Sequence, residues 1–330
     1  MVILTALIRP LYARFKRPVD IVTSGPWSEP LLRGQPGVGE VFSVRSRKTP
    51  YWLAPGQRRV VRRLRARGIG PTWYCDGNDA ARALLERAGI ASPYIVDVKD
   101  HPLLPDEHAT EQWRRLAAVT PLAGSAPPAV AADAVGPGCY LQVGPQQEAD
   151  LDAWLDGRGL AGAPLVLIQA GNKRTMRRGL KRLAANHKYW PTERWAAVML
   201  YLRARCPKHR IVLLGTGPEY RLNQEIIAAA RLADVVNAAD DLPIPRLVAL
   251  LARASALLTV DSGPAHAAAA VGCPQVVLFG RASPALYRPR GAAGADVRVL
   301  TGRFEGEPSM LGIATGDVFE AFAALELRTP

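Results

Sequence analysis

The stretch Leu258-Thr259-Val260-Asp261-Ser262-Gly263-Pro264-Ala265-His266-Ala267-Ala268-Ala269-Ala270 decides the fold. An apolar strand runs into a Ser-Gly-Pro turn, and a small-residue helix comes next with a histidine in its first turn. Pro264 suits the start of a helix, where its missing N–H is not needed. Gly263 lets a ligand approach the backbone closely. Free N–H groups and aligned peptide dipoles at a helix start favour an anion. Asp261 ends the strand, where open α/β sheets place their ligand contacts, and His266 can reach the same ligand. The pattern is that of an α/β protein with an anion site at a strand-to-helix turn.

Alternating strands and helices surround it. Upstream, Pro164-Leu165-Val166-Leu167-Ile168-Gln169 reads as a strand buried on both faces. A helix over 192–205, a strand over 210–215, a helix over 219–232, a short strand over 235–237 and a helix over 245–253 come after it. Downstream, Gln275-Val276-Val277-Leu278-Phe279 is the last clear strand. The first half alternates in the same way, with strands over 19–22, 40–44, 72–75 and 94–96. Its helices are a basic one over 57–67, one over 78–88 capped by Asn78 or Asp79, and one over 107–119. The Pro- and Gly-rich segment 120–138 marks a linker, and 140–156 completes the connection. Such alternation predicts parallel sheets joined by right-handed crossovers. The expected domains are 1–156, 157–315 and a C-terminal helix, 316–330, packing back on the first.

The chain has 330 residues and a net charge of +13, from 42 Lys+Arg against 29 Asp+Glu. That balance favours anionic partners without choosing among them, and an arginine-rich codon usage would produce it as well. Cys75, Cys139, Cys206 and Cys273 lack metal-ligand spacing, which fits a reduced cytosolic protein. The longest apolar run, Leu247 to Val260, contains Arg253 and is too short to span a bilayer. Dispersed basic residues without a helix-turn-helix, zinc-finger or RRM pattern argue against a nucleic-acid binder.

Three spaced segments together resemble glycosyltransferase family 9, the ADP-heptose:lipopolysaccharide heptosyltransferases and their relatives. The first is Asp261-Ser262-Gly263-Pro264-Ala265-His266 followed by Gly272-Cys273-Pro274 and Val277-Leu278-Phe279-Gly280. The second is Lys188-Tyr189-Trp190-Pro191-Thr192-Glu193-Arg194-Trp195, and the third is Leu213-Leu214-Gly215-Thr216-Gly217-Pro218-Glu219. The resemblance implies a GT-B-like α/β architecture: two Rossmann-like domains with mainly parallel sheets facing a central cleft, the nucleotide-sugar donor on the C-terminal one. By the same resemblance, Ser262 and Gly263 contact the donor diphosphate while Asp261 and His266 shape that site. Lys188 places a cation on a phosphate, and Glu219 accepts from the nucleoside hydroxyls. The implied activity is transfer of a sugar, heptose by expectation, from a nucleotide diphosphate donor, ADP-heptose by expectation. The acceptor is an anionic lipopolysaccharide or related surface glycan, and transfer proceeds with inversion and without metal or cofactor. The implied location is cytoplasmic, with peripheral contact on the inner face of the cytoplasmic membrane as an option.

Taken singly, these residues also have structural readings. Asp261 would cap the following helix, His266 would be a hydrogen-bonded structural histidine, Lys188 a solvated lysine, and Glu219 a partner of the helix dipole. Trp190 and Trp195 read as core anchors rather than sugar platforms. The basic segment Lys173 to Arg182 reads either as a phosphate-contacting loop or as a solvated one. Arg58, Arg62 and Arg65 fall near one helix face, suited to anionic lipid headgroups or acceptor phosphates, or simply to solvent.

The opening Met1-Val2-Ile3-Leu4-Thr5-Ala6-Leu7-Ile8-Arg9-Pro10-Leu11-Tyr12 resembles the segment just after the family's N-terminal Gly-Asp, whose Asp is its proposed general base. That pair and the strand before it do not appear, and a start site placed too late is the expectation. The catalytic base is therefore unassigned; Asp20, Asp76 and Asp79 are substitutes that nothing singles out. A non-catalytic or degenerate nucleotide-sugar-binding protein, and an epimerase or hydrolase of the same fold, are the competing readings.

Overall fold

Three apolar runs, Leu165–Gln169 (β5), Ala256–Val260 (β10) and Gln275–Phe279 (β11), are buried along their whole length and form the centre of one parallel sheet. The computed structural model describes every residue except 45, 47, 48, 125, 131–134, 173–175, 178, 179, 182–185, 293 and 330. The chain divides into two units, Ile3–Gly138 and Cys139–Pro330.

The first unit contains α1 (Thr5–Phe15), β1 (Val19–Thr23), α2 (Ser28–Leu32), β2 (Val38–Ser43), α3 (Pro55–Arg67), β3 (Thr72–Tyr74), α4 (Asp79–Arg87), β4 (Ile95–Asp97) and α5 (Ala109–Ala118). Its strands are parallel, as expected, but they form two separate pairs, β1–β2 and β3–β4, rather than one sheet. Among the described residues no strand joins them. β1 accordingly alternates half-buried and exposed residues and leaves Val22 open to solvent. Residues 2–15 form a short 3-10 turn and α1, in keeping with their likeness to a post-strand segment. Leu7 and Leu11 of α1 pack with Leu116 and Ala117, against Val19 of β1 and Trp73 of β3.

The second unit adds α6 (Pro145–Gly157), the two-residue antiparallel strands β6 (Met176–Arg177) and β7 (Leu180–Lys181), α7 (Thr192–Arg205), β8 (Arg210–Leu213), α8 (Tyr220–Ala230), β9 (Val236–Asn237) and α9 (Ile244–Arg253). Beyond β10 come α10 (Gly263–Ala270), β11, α11 (Pro284–Tyr287), β12 (Val297–Thr301), the short antiparallel pair β13 (Arg303–Phe304) and β14 (Glu307–Pro308), and α12 (Thr315–Ala323). The sheet order is β12-β11-β10-β5-β8-β9, with every neighbour parallel. From β5 the chain moves outward to β8 and β9, then returns past β5 to build β10, β11 and β12. The order therefore reverses between β5 and β10, and a ligand crevice lies outside the carboxyl ends of strands at such a reversal.

The expected boundary at 156 moves to Gly138–Cys139, because α6 packs on α9. The indole N–H of Trp154 donates to Asp241 (2.8 Å), and Arg246 bridges Asp150 and Asp241. The C-terminal helix belongs to the second unit. There α12 lies on α7, and Phe319 stacks on Tyr201 at 4.3 Å. Among the elements the sequence does not display are α6 and β12. α6 shows little more than a Pro at its start and the spacing of Leu151, Trp154 and Leu155. β12 is an edge strand whose Arg298 and Thr301 face solvent.

Trp190 and Trp195 are core anchors. Both are buried, their rings meeting edge-to-face at 4.9 Å, and the Trp190 indole N–H donates to the Ile313 carbonyl. Trp195→Ala is expected to destabilise the protein by about 4 kcal/mol through the cavity it leaves, measurable by chemical denaturation.

Candidate functional site

The turn from β10 into α10 lies at the reversal of the sheet. Ser262 is the N-cap residue in extended backbone and makes no side-chain cap bond to the helix. Its hydroxyl lies 3.3 Å from that of Thr259 instead. Gly263 is exposed, with no atom within 4 Å of where a Cβ would stand. Pro264 occupies the first turn, and His266 lies half-buried in that turn. The first amides of α10 thus form the uncapped, approachable helix start that the sequence indicated.

The buried run Ala265, Ala267, Ala268, Ala269 and Ala270 seats α10 closely on the sheet. Gly272 ends the helix with a left-handed φ of +76°. Its N–H bonds to Ala269 and that of Cys273 to Ala268, the pairing of a Schellman C-cap. The Gly-x-Pro signature is therefore a helix stop that returns the chain into β11.

Lys188 meets this turn from a distant part of the sequence. Its ammonium donates to the Asp261 carboxylate at 2.5 Å and to the Asp261 carbonyl at 2.8 Å. Both side chains are largely buried. Asp261 is thus engaged by a cation rather than spent on capping, and Lys188 is not a solvated lysine. Several contacts hold the lysine in place. The Asn186 side chain accepts the Lys188 N–H at 3.2 Å, and the His187 carbonyl accepts from Met310. Gly280, just past β11, lies directly against that carbonyl, which leaves no room for a Cβ.

Glu219 lies on the neighbouring β8 side, as the last residue of the short turn Gly217–Glu219. Its carboxylate accepts from the Thr216 N–H (2.9 Å), the Thr216 hydroxyl (2.7 Å) and Gln169 Nε2 (3.2 Å). Burial pushes its pKa above the usual carboxylate range, and the Thr216 hydrogen bonds oppose that shift. Gly171 covers it, since a Cβ there would run into Oε1. The structure thus gives Glu219 a capping role and burial at the carboxyl end of β5.

Sequence reasoning missed Gln169, Gly171 and Thr216, which surround Glu219. A polar Gln ending an apolar strand was the available signal for the first. The basic segment Lys173 to Arg182 lies mostly outside the described residues. Asp20, Asp76 and Asp79 all belong to the first unit. The Asp20 carboxylate accepts the Glu40 N–H and pairs with Arg67, while Asp79 faces Lys99. Among the described residues no three His, Cys, Asp or Glu side chains gather as a metal site would require.

Comparison with known proteins agrees with this architecture. Residues 173–303 match glycosyltransferase family 9 (heptosyltransferase). Over 118 residues the chain is 30% identical to lipopolysaccharide heptosyltransferase 2 of Escherichia coli strain K12; the match covers 35% of this chain and 33% of that protein. The chain therefore spans about a third of the length of that curated relative. Among solved structures, E. coli ADP-heptose lipopolysaccharide heptosyltransferase II superposes with a TM-score of 0.73 at 21% identity, covering 98% of this chain and 94% of that one. A glycosyl transferase family 9 structure from Veillonella parvula gives 0.75 at 18% identity, covering 98% and 92%. The family 9 resemblance stands on the sequence of the second unit, and the chain has the GT-B-type fold of those structures.

The two buried carboxylates carry testable consequences for stability. Lys188→Met strands the largely buried Asp261 carboxylate and is expected to cost about 3 kcal/mol. Adding Asp261→Asn should recover part of that loss, giving a coupling of about 1 kcal/mol in a double-mutant cycle by denaturation. Because burial raises the Glu219 pKa, the folded protein holds that proton more tightly than the unfolded chain does. Stability from this group is greatest below the unfolded pKa and falls as pH rises toward the folded one. Glu219→Gln should flatten that slope in thermal unfolding as pH rises above the ordinary glutamate pKa of about 4.3.

Proposed function

We propose that this protein is a glycosyltransferase whose nucleotide-sugar donor places its diphosphate at the start of α10. The observation that carries the reading is the uncapped α10 N-terminus at the reversal of the sheet, with the Lys188–Asp261 pair beside it. It falls inside the stretch that matches family 9. Glycosyl transfer from a nucleotide diphosphate develops negative charge on the departing group. Fixed N–H dipoles and a held cation stabilise that charge without reorganising.

In this reading the Ser262 hydroxyl and the Ser262 and Gly263 amides bind the diphosphate. His266 flanks it from the first turn of the helix. Lys188 exchanges its Asp261 partner for a phosphate oxygen when donor arrives, and Asp261 holds the ammonium in position until then. Glu219 takes the nucleoside hydroxyls at the end of β8. The donor sugar is heptose and the donor ADP-heptose. The acceptor is a lipopolysaccharide or related surface glycan, reached from the cytoplasm, and transfer is by direct displacement with inversion. Support for the finer choices comes from the names of the similar proteins, a heptosyltransferase and an ADP-heptose enzyme.

Thermal shift against ADP-heptose, ADP, UDP-sugars and GDP-sugars tests the donor assignment. A donor present at a hundred times its Kd stabilises the folded state by about 2.7 kcal/mol. The expected result is a rise in melting temperature with ADP-heptose and ADP, and a much smaller rise for Lys188→Ala and His266→Ala. An undiminished shift in both variants would remove the site from this position. A shift with UDP- or GDP-sugars alone would replace the donor.

A further inference from the structure

The donor reading leaves α3 and the turn before it without a role. Pro55 to Arg67 carries Arg58, Arg59, Arg62, Arg63, Arg65 and Arg67 and no acidic residue. Gln57, Val60, Val61 and Leu64 form its buried stripe, packed with Phe42, Tyr74, Leu84 and Leu85. At about 100° per residue, Arg58, Arg59 and Arg62 occupy the opposite arc.

The arginines divide sharply by what they touch. Arg63 and Arg67 pair with Glu40, Arg67 also with Asp20, and Arg65 donates to the Arg87 carbonyl. Arg58, Arg59 and Arg62 are exposed and make no ion pair among the described residues. At the helix start, the turn Tyr51–Leu53 is tied in by the Ala54 N–H to the Tyr51 carbonyl. The buried Gln57 amide also donates to the Ser46 and Thr49 carbonyls. Arg87 covers the Tyr51 ring at 4.8 Å, while Trp52 and Leu53 remain 70% and 55% exposed.

We infer that the outer face of α3 and the Trp52–Leu53 turn form a docking surface for an anionic phospholipid bilayer. Charge and polarity together select that partner. Three unpaired guanidinium groups suit lipid phosphates. A tryptophan beside an exposed leucine suits the boundary between headgroups and acyl chains. A soluble phosphate would use the arginines and leave Trp52 and Leu53 wet, and a nucleic acid offers no apolar layer for Leu53. This inference goes beyond the donor site and does not depend on it, since lipid binding needs no turnover. It gives the expected peripheral membrane contact a definite surface.

Co-sedimentation of the full chain with vesicles tests it. Vesicles of phosphatidylcholine mixed with phosphatidylglycerol should bind the protein, and pure phosphatidylcholine should not. Each arginine near such a surface contributes about fivefold, so Arg58→Gln/Arg59→Gln/Arg62→Gln should lower partitioning roughly a hundredfold. Added salt should weaken binding of the parent protein. Trp52→Ala should reduce partitioning several-fold and lessen the quenching of tryptophan fluorescence by brominated lipid. All replaced side chains are exposed, and unchanged melting temperatures would confirm intact folding. The inference is overturned by absence of binding to the anionic vesicles, by unchanged binding in both variants, by displacement with inorganic phosphate well beyond that caused by sodium chloride at the same ionic strength, or by tighter binding of the same arginines to a DNA duplex than to vesicles.

Discussion

The Lys188–Asp261 ion pair joins elements 73 residues apart, and the candidate site depends on it. Removing two charges from water is costly, and a largely buried pair returns little net stability. What the pair supplies is position: a cation held at the carboxyl end of β10, beside the open amides of α10. The surrounding structure serves that placement. Gly280 admits the His187 carbonyl, Asn186 takes the lysine N–H, and Trp190 anchors the next residues to Ile313. A pair that is costly to bury and easily exchanged for another anion suits a site that binds and releases phosphate.

The two units use parallel strands under different constraints. In the second unit β5, β10 and β11 have neighbours on both edges and cover on both faces, so every position is buried and nearly all are apolar. That continuity made them readable in the sequence to within a residue or two. β1 has one paired edge, and its Asp20 and Val22 reach solvent. The sequence shows the parallel strand but not the extent of the sheet, because strand pairing depends on distant partners.

The same distinction governs what was legible at the site. Asp261, Ser262, Gly263 and His266 were readable because one local motif, strand-turn-helix, places all four. Lys188 and Glu219 needed the spaced resemblance, since nothing local marks a lysine as buried or a glutamate as covered by Gly171. The partners of Glu219 were harder to read: a polar Gln ending β5 was the one local sign of Gln169, and Thr216 matters only through hydrogen bonds to a carboxylate whose burial the sequence does not display. α6 escaped for want of a broad apolar face. Its attachment runs through Trp154 and the Asp150–Arg246–Asp241 network, a pattern of polar contacts rather than periodicity.

Placement also gives meaning to the positive charge. An excess of arginine says little by itself, because composition bias produces it too. Many of these arginines are structural. Arg14 is buried and donates to the Ala117, Val119 and Pro127 carbonyls and the Thr120 hydroxyl. Arg194 takes the Leu311 and Ile313 carbonyls, and Arg115 and Arg246 are neutralised by carboxylates. Arg14 and Arg194 thereby satisfy backbone carbonyls inside the structure. Arg58, Arg59 and Arg62 of α3, by contrast, are exposed and make no ion pair among the described residues. Composition bias accounts for their number but not for their lying on one helix face beside an exposed Trp52 and Leu53. The combination matches a partner that is anionic at its surface and apolar just beneath, which is the basis of the inferred bilayer contact.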